Sequence, residues 1–285
     1  MRPTEVRAVI LELGHDARLD FQQKAGRITA ELNTCSTKGV LEHLDSAGVI
    51  PEEFDHDSTE EKLFAKYCDA LLAGSFRELG LKAEAIIERS DAADVRAEGS
   101  NYALVGDAKA FRLSRTAKNQ KDFKVEALNQ WRKGADFAVL VCPIYQYPNT
   151  DSQIYQQATK YNVALLSYTH LAFLIRHAST SARELKKLWA QPAKIGVTKD
   201  ASAYWSAMDA VMLAISGQDA KQWKAALSAA MARLPEQAAE QIRYWEGEKE
   251  RVRRLSHSAA ITRLIEALKI DAKIDVIRRT ARRGS

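Results

Sequence analysis

Asp94, Asp107 and Lys109 have the types and spacing to do chemistry together. Asp107 and Lys109 are two residues apart, so in a strand they project from the same side. Asp94 lies thirteen residues earlier, close enough for a hairpin or bend to return it to the same point. Two carboxylates can hold a hard divalent cation through oxygen. Such a cation lowers the pKa of a bound water and neutralises charge on a phosphoryl group. A nearby lysine can orient or activate that water and stabilise the developing negative charge. Acid, acid, lysine is thus the minimal equipment for hydrolysing a phosphodiester with Mg2+. A D-x-K triplet also arises as an ordinary surface ion pair of little energetic worth. Spacing alone leaves both readings open.

The next segment, residues 111–124, reads Phe-Arg-Leu-Ser-Arg-Thr-Ala-Lys-Asn-Gln-Lys-Asp-Phe-Lys. Arg112, Arg115, Lys118, Lys121 and Lys124 are basic, and Asp122 is its one acid. Lysine and arginine suit phosphates, while Asn, Gln and Arg can pair with base edges in the major groove. Ser114, Thr116, Asn119 and Gln120 are interleaved with them. A solvated basic loop before an amphipathic helix would look the same. Position directly after the acid–lysine triplet favours a DNA contact.

These residues need elements to position them. Tyr102 to Phe111 reads as a strand, and Phe137-Ala-Val-Leu-Val-Cys142, followed by Pro143, reads as a buried one. Val163-Ala-Leu-Leu-Ser167 is a third. Between the first two, residues 119–133 have helical spacing at Phe123, Ala127, Leu128 and Trp131. Strand, helix, strand implies a βαβ-like crossover and a mixed or parallel sheet. Upstream, residues 17–34 and 37–46 read as helices. Ser58 followed by Glu61 is a capping-box pattern opening a helix that should stop near Gly80. From 201 onward the pattern is helical, punctuated at Gly217 and Pro235. Trp205, Trp223 and Trp245 sit there as expected packing anchors, and Cys142 as a buried small hydrophobe. The expectation is an α/β core over 1–195, with a central mixed sheet flanked by helices, and a helical C-terminal region over 196–285, either as a separate unit or continuous with the core. The late basic residues Arg251, Arg253, Arg254, Arg278, Arg279, Arg282 and Arg283 suit phosphates and solvated helix faces equally.

Composition narrows the class. With 285 residues, 46% hydrophobic and 28% charged, the chain can bury a core and is not a disordered polymer. Three scattered cysteines without CxxC argue against a disulfide framework or a structural zinc site. Six histidines without HxxxH or HExxH spacing make a histidine metal centre improbable. No apolar run spans a bilayer and no secretory signal is visible, so the cytoplasm is the expected location and no membrane partner is expected. A net charge of +5 permits a nucleic-acid partner without requiring one.

The segment GDAKAFRLSRTAKNQKDFKVEALNQWR closely resembles the core of the HindIII-type restriction endonucleases. STEEKLFAKYCDALLAGSF resembles the family's helix before that core, and FAVLVCPIYQYPNTDSQIY the segment after it. The resemblance is close over residues 40–175 and looser outside them. It implies the PD-(D/E)XK nuclease fold and a Mg2+-dependent homodimer, with Mn2+ an expected substitute. It also implies cutting of both strands of a short palindrome in duplex DNA, AAGCTT for the best-known member, leaving 5′-phosphate ends. Carried over by residue, Asp94 and Asp107 are the two metal-binding acids and Lys109 the lysine. Asp122 and Glu61 match accessory acids. Glu88 falls where the family's acid before the first core strand is shifted by one residue. Asn119 and Lys121 match the base-reading segment, with Arg112, Ser114, Arg115, Ala117 and Lys118 beside them. A cognate DNA methyltransferase would protect the same site. A repair or recombination nuclease of the same superfamily, or a DNA-binding protein that does not cut, are the rival readings.

Overall fold

The computed structural model describes residues 1–87, 92–115, 120–177 and 182–281. Three helices, α1 (Val6–His15), α2 (Phe21–Asn33) and α3 (Thr37–Ser46), lead into the long α4 (Thr59–Glu78). Asp20 and Ser36 accept from the amides of Gln23 and Gly39, so α2 and α3 each begin where a side-chain oxygen satisfies a free N–H. Ser58 caps α4 in the same way, accepting from the Glu61 amide. The return half of the expected capping box is not made. Glu61 instead accepts from the Asp57 amide at 2.7 Å and pairs with Arg112. Every residue of α4 from Tyr67 to Phe76 is buried, Asp69 among them. A helix apolar all round is one enclosed by its fold. It stops at Glu78, ahead of Gly80 at φ 82°, as the sequence indicates.

Then come β1 (Lys82–Ala85), β2 (Val95–Glu98) and β3 (Ala103–Ala108), followed by α5 (Gln120–Phe123), α6 (Val125–Trp131), β4 (Phe137–Cys142), α7 (Gln153–Tyr161) and β5 (Val163–Ser167). The sheet order is β1-β2-β3-β4-β5. The β1–β2 and β2–β3 pairs are antiparallel, and β3–β4 and β4–β5 parallel, so the sheet is mixed. β4 and β5 are buried at every residue, which is why they read as continuous apolar runs. The helix expected over 119–133 is two pieces, broken where Lys124 takes φ 51°. α4 packs on β1 to β3, while α6, α7 and α9 (Ala182–Trp189) pack on the parallel strands.

Gly48 ties the front of the sheet to the helices. Its carbonyl accepts from the Phe111 amide, and Val49 bridges Phe111 in parallel. Gly48 sits at φ 96°, and a Cβ there would overlap the Pro143 ring. Gly48→Ala should therefore cost about 2–4 kcal/mol, combining the positive-φ penalty with overpacking. A thermal melt should show Tm lower by roughly 5–10 °C. An unchanged melt would mean the loop relaxes freely.

The remaining helices are α8 (Tyr168–His177), α10 (Ala201–Ser216), α11 (Ala220–Ala232), α12 (Leu234–Arg253), α13 (His257–Ala267) and α14 (Ile270–Ala281). The chain divides into two compact units, Met1–Gln237 and Ala238–Ser285. The expected boundary at 195/196 lies inside the first unit. There the Tyr204 hydroxyl donates and accepts at the Leu165 main chain, its Leu165 amide contact being 2.7 Å, which fixes α10 to β5. Trp205 donates to the Tyr155 hydroxyl and Trp223 to Asp209, so both are the anchors expected. Trp245, in the second unit, is 51% exposed and is not one. No helix among the described residues is long and apolar enough to cross a membrane.

Candidate active site

Strand register builds the site. Val95 pairs with Gly106 across the antiparallel β2–β3 ladder, so Asp94, one residue before β2, stands across from Asp107. Gly106 lets α4 come close, because Leu72 and Phe76 fill the space a Cβ would take. One turn earlier on α4, Asp69 then reaches the same point. Asp69, Asp94 and Asp107 each present a carboxylate oxygen within 4.8 Å of the others. Lys109 follows the end of β3, its amide bonded to the Val141 carbonyl at 2.7 Å. Its ammonium lies 2.6 Å from Asp107 Oδ2. Lys66, one turn before Asp69, places its ammonium 2.6 Å from Asp94 Oδ1 and 3.3 Å from Asp69 Oδ2. All five groups line a cleft of about 670 Å³.

The electrostatics follow from three acids crowded into low dielectric. Burial, and then the neighbouring Asp94 and Asp107, hold the Asp69 carboxyl well above its usual range, against the pull of Lys66 and Lys109. Burial by itself would lower the Lys109 ammonium, but Asp107, with Asp69 and Asp94, outweighs it and the net shift is upward. Lys66 behaves alike, burial being outweighed by Asp69 and Asp94. Both lysines therefore stay cationic. Asp107 Oδ2 is buried and has no aligned hydrogen-bond donor, although the Lys109 ammonium is at ion-pair distance. An oxygen so placed, beside two more carboxylates, suits a hard divalent cation. Cys68, next to Asp69, is no competing nucleophile, because burial pushes its thiol up to about 12.

The other residues singled out by sequence divide into three groups. Arg112 pairs with Glu61 and the Phe54 carbonyl, and the Ser114 amide and hydroxyl both donate to Glu52. These two brace the loop after β3 against residues 52–61. Glu61 lines the same cleft but sits with His56 and Asp57, outside the Asp69–Asp94–Asp107 group. Asp122 pairs with Arg115, whose guanidinium also lies 5.3 Å from the Phe111 ring centre, and Lys121 is exposed. Glu88, Ala117, Lys118 and Asn119 lie outside the described residues.

Asp69 and Lys66 are what the sequence reading missed. Their signal was present: a lone acid inside the apolar stretch of α4 from Leu63 to Phe76, with a lysine one turn before it. Elsewhere, Ser167, His170 and Asp209 bond in series. The Ser167 amide donates to His170 Nδ1, and His170 Nε2 then donates to Asp209 at 3.0 Å. Ser167 and His170 are fully buried, so this chain holds α8 to α10 and has no access to substrate.

The family model for the HindIII restriction endonuclease matches residues 4–281. Among curated proteins, the Type II restriction enzyme HindIII of Haemophilus influenzae is 34% identical over 266 residues, 90% of this chain and 89% of that protein. Both matches run through β2, β3 and the cleft they form with α4, and the chain belongs to the HindIII restriction endonuclease family.

Proposed function

We propose that the protein is a Mg2+-dependent type II restriction endonuclease acting as a homodimer on duplex DNA. It cuts both strands of a short palindrome, AAGCTT being the candidate that the family resemblance implies, and leaves 5′-phosphate and 3′-hydroxyl ends. The observation that carries this reading is the convergence of Asp69, Asp94 and Asp107 beside Lys109 in one cleft. Asp94 and Asp107 would hold Mg2+, with Asp69 as a third oxygen ligand. Bound there, the cation supplies charge neutralisation at the phosphoryl group and a more acidic water. Lys109, kept cationic by its carboxylate neighbours, orients the attacking water and donates to the phosphoryl oxygens as negative charge grows. Arg115 and Lys121, with Ala117, Lys118 and Asn119 between them, meet the DNA. Arg112 and Ser114 set the angle at which that segment leaves β3. A methyltransferase of the same specificity would protect host DNA. The site lies in a chain whose setting is the cytoplasm.

A digest of long plasmid or phage DNA with Mg2+, followed by end sequencing, tests this. Discrete fragments ending at AAGCTT support the whole reading. Discrete fragments at another palindrome keep the enzyme and discard that specificity. Specific binding without cutting moves the protein to the non-cleaving class. Lys109→Met should lower the single-turnover cleavage rate by about 10²–10³-fold while changing duplex affinity little. A loss confined to affinity would remove Lys109 from the chemistry.

A further inference from the structure

Eleven large apolar side chains are exposed among the described residues, and nine of them lie in the second unit, 238–285. Within that unit the only described residue that is buried is Glu248. A helical unit of that size cannot be stabilised by its own interior when it has none. The apolar residues are not scattered. Ile261, Leu264 and Leu268 follow i, i+3, i+7 on α13 and its C-cap, and Ile270, Ile274 and Ile277 follow i, i+4, i+7 on α14. Each set forms one stripe along its helix. At their exposures the six side chains of these two stripes present roughly 600 Å², the lower end of what one partner contributes to a specific protein–protein interface.

Charge says what the stripe on α14 meets. Asp271 and Arg278 are seven residues apart, so both flank the stripe on the same side. Two α14 helices crossing antiparallel at Ile274 set Asp271 against the partner's Arg278, and by symmetry do so twice. The same crossing sets Ile270 against the partner's Ile277 and Ile274 against the partner's Ile274. A face that is self-complementary under a twofold axis is the isologous kind. The Arg278–Asp275 contact within the chain, at 3.5 Å and exposed, is too weak to compete.

From this we propose that α13 and α14 form a dimerisation arm whose occupant is the same arm of a second copy of this chain. The inference rests on the homodimer of the proposed function and assigns it a surface. It also gives the arm's stripes to protein rather than to DNA.

The test is sedimentation equilibrium of the full chain, with cleavage measured in parallel. Wild type should be a dimer. Ile274→Asp acts twice at the axis and should raise the dimer Kd by about 100-fold or more, with helical content unchanged by circular dichroism. Asp271→Arg should raise it by about tenfold, and adding Arg278→Asp should restore it. A monomeric wild type, or a dimer indifferent to Ile274→Asp and to the charge reversal, overturns the proposal. So does an Ile274→Asp variant of unchanged mass that binds random-sequence duplex more weakly, which would give the face to nucleic acid. Loss of cleavage by wild type would strike the endonuclease reading alone, because the mass measurement needs no DNA.

Discussion

Asp107→Asn should leave a folded protein that no longer cuts duplex DNA, with the cleavage rate down by at least about 10³-fold. Asn keeps the shape of the side chain in the centre of the sheet but removes the charge of Oδ2, the oxygen that lacks an aligned donor within the chain. Two consequences follow together. A cation held as proposed would lose the ligand nearest Lys109, and Lys109 loses the partner 2.6 Å away that does most to keep it cationic in a buried position. Asp69 and Asp94 still face that lysine, so the buried ammonium is not abandoned and the fold should survive. The check is Mn2+ binding by the isolated protein together with single-turnover cleavage. Weaker binding with no cutting is the expected pair. Cutting at more than a tenth of the wild-type rate would remove Asp107 from the reaction.

The parts of this site that sequence revealed are those with a period. Asp107 and Lys109 were legible because β3 is extended, and two residues in a strand share a side. β4 and β5 were legible because strands buried on both faces are apolar at every position. β1 and β2 were not among the expected strands. Lys82-Ala-Glu-Ala85 and Val95-Arg-Ala-Glu98 are four residues each, and alanine, lysine and glutamate are weak strand formers. Their pairing comes from α4 packing over them and from β3 alongside, both of which are tertiary effects. The break at Lys124 was hidden for the opposite reason, since the apolar spacing runs on through a residue that leaves the helix. Glu61 was the acid expected from α4, because the family resemblance puts an accessory acid on that helix and Glu61 stands in its first turn. The acid that reaches the other two is Asp69, two turns deeper, where its one signal is a charge standing alone in an apolar pattern.

Asp69→Asn should raise the stability of the metal-free protein while lowering its cleavage rate by about 10–100-fold. The sign follows from the carboxyl being held well above its ordinary value, by burial first and then by Asp94 and Asp107. The folded chain keeps that proton where the unfolded chain has released it. From about pH 4 upward the folded state therefore binds more protons than the unfolded one, and stability falls as pH rises. Asn carries no such proton and removes the fall. At pH 7–8 the Tm of Asp69→Asn should exceed that of wild type by roughly 3–6 °C, and the two melts should converge below about pH 4. Mg2+ should then raise the Tm of wild type more than that of the variant, because a cation among three carboxylates relieves the repulsion that Asn has already removed. A variant less stable than wild type at pH 7–8 would show that Lys66 and Lys109 need the Asp69 charge more than Asp94 and Asp107 oppose it. The cluster would then be an ion-pair network built for the fold. A variant more stable but slower would mark the strain among these acids as the cost of keeping a site ready for a cation.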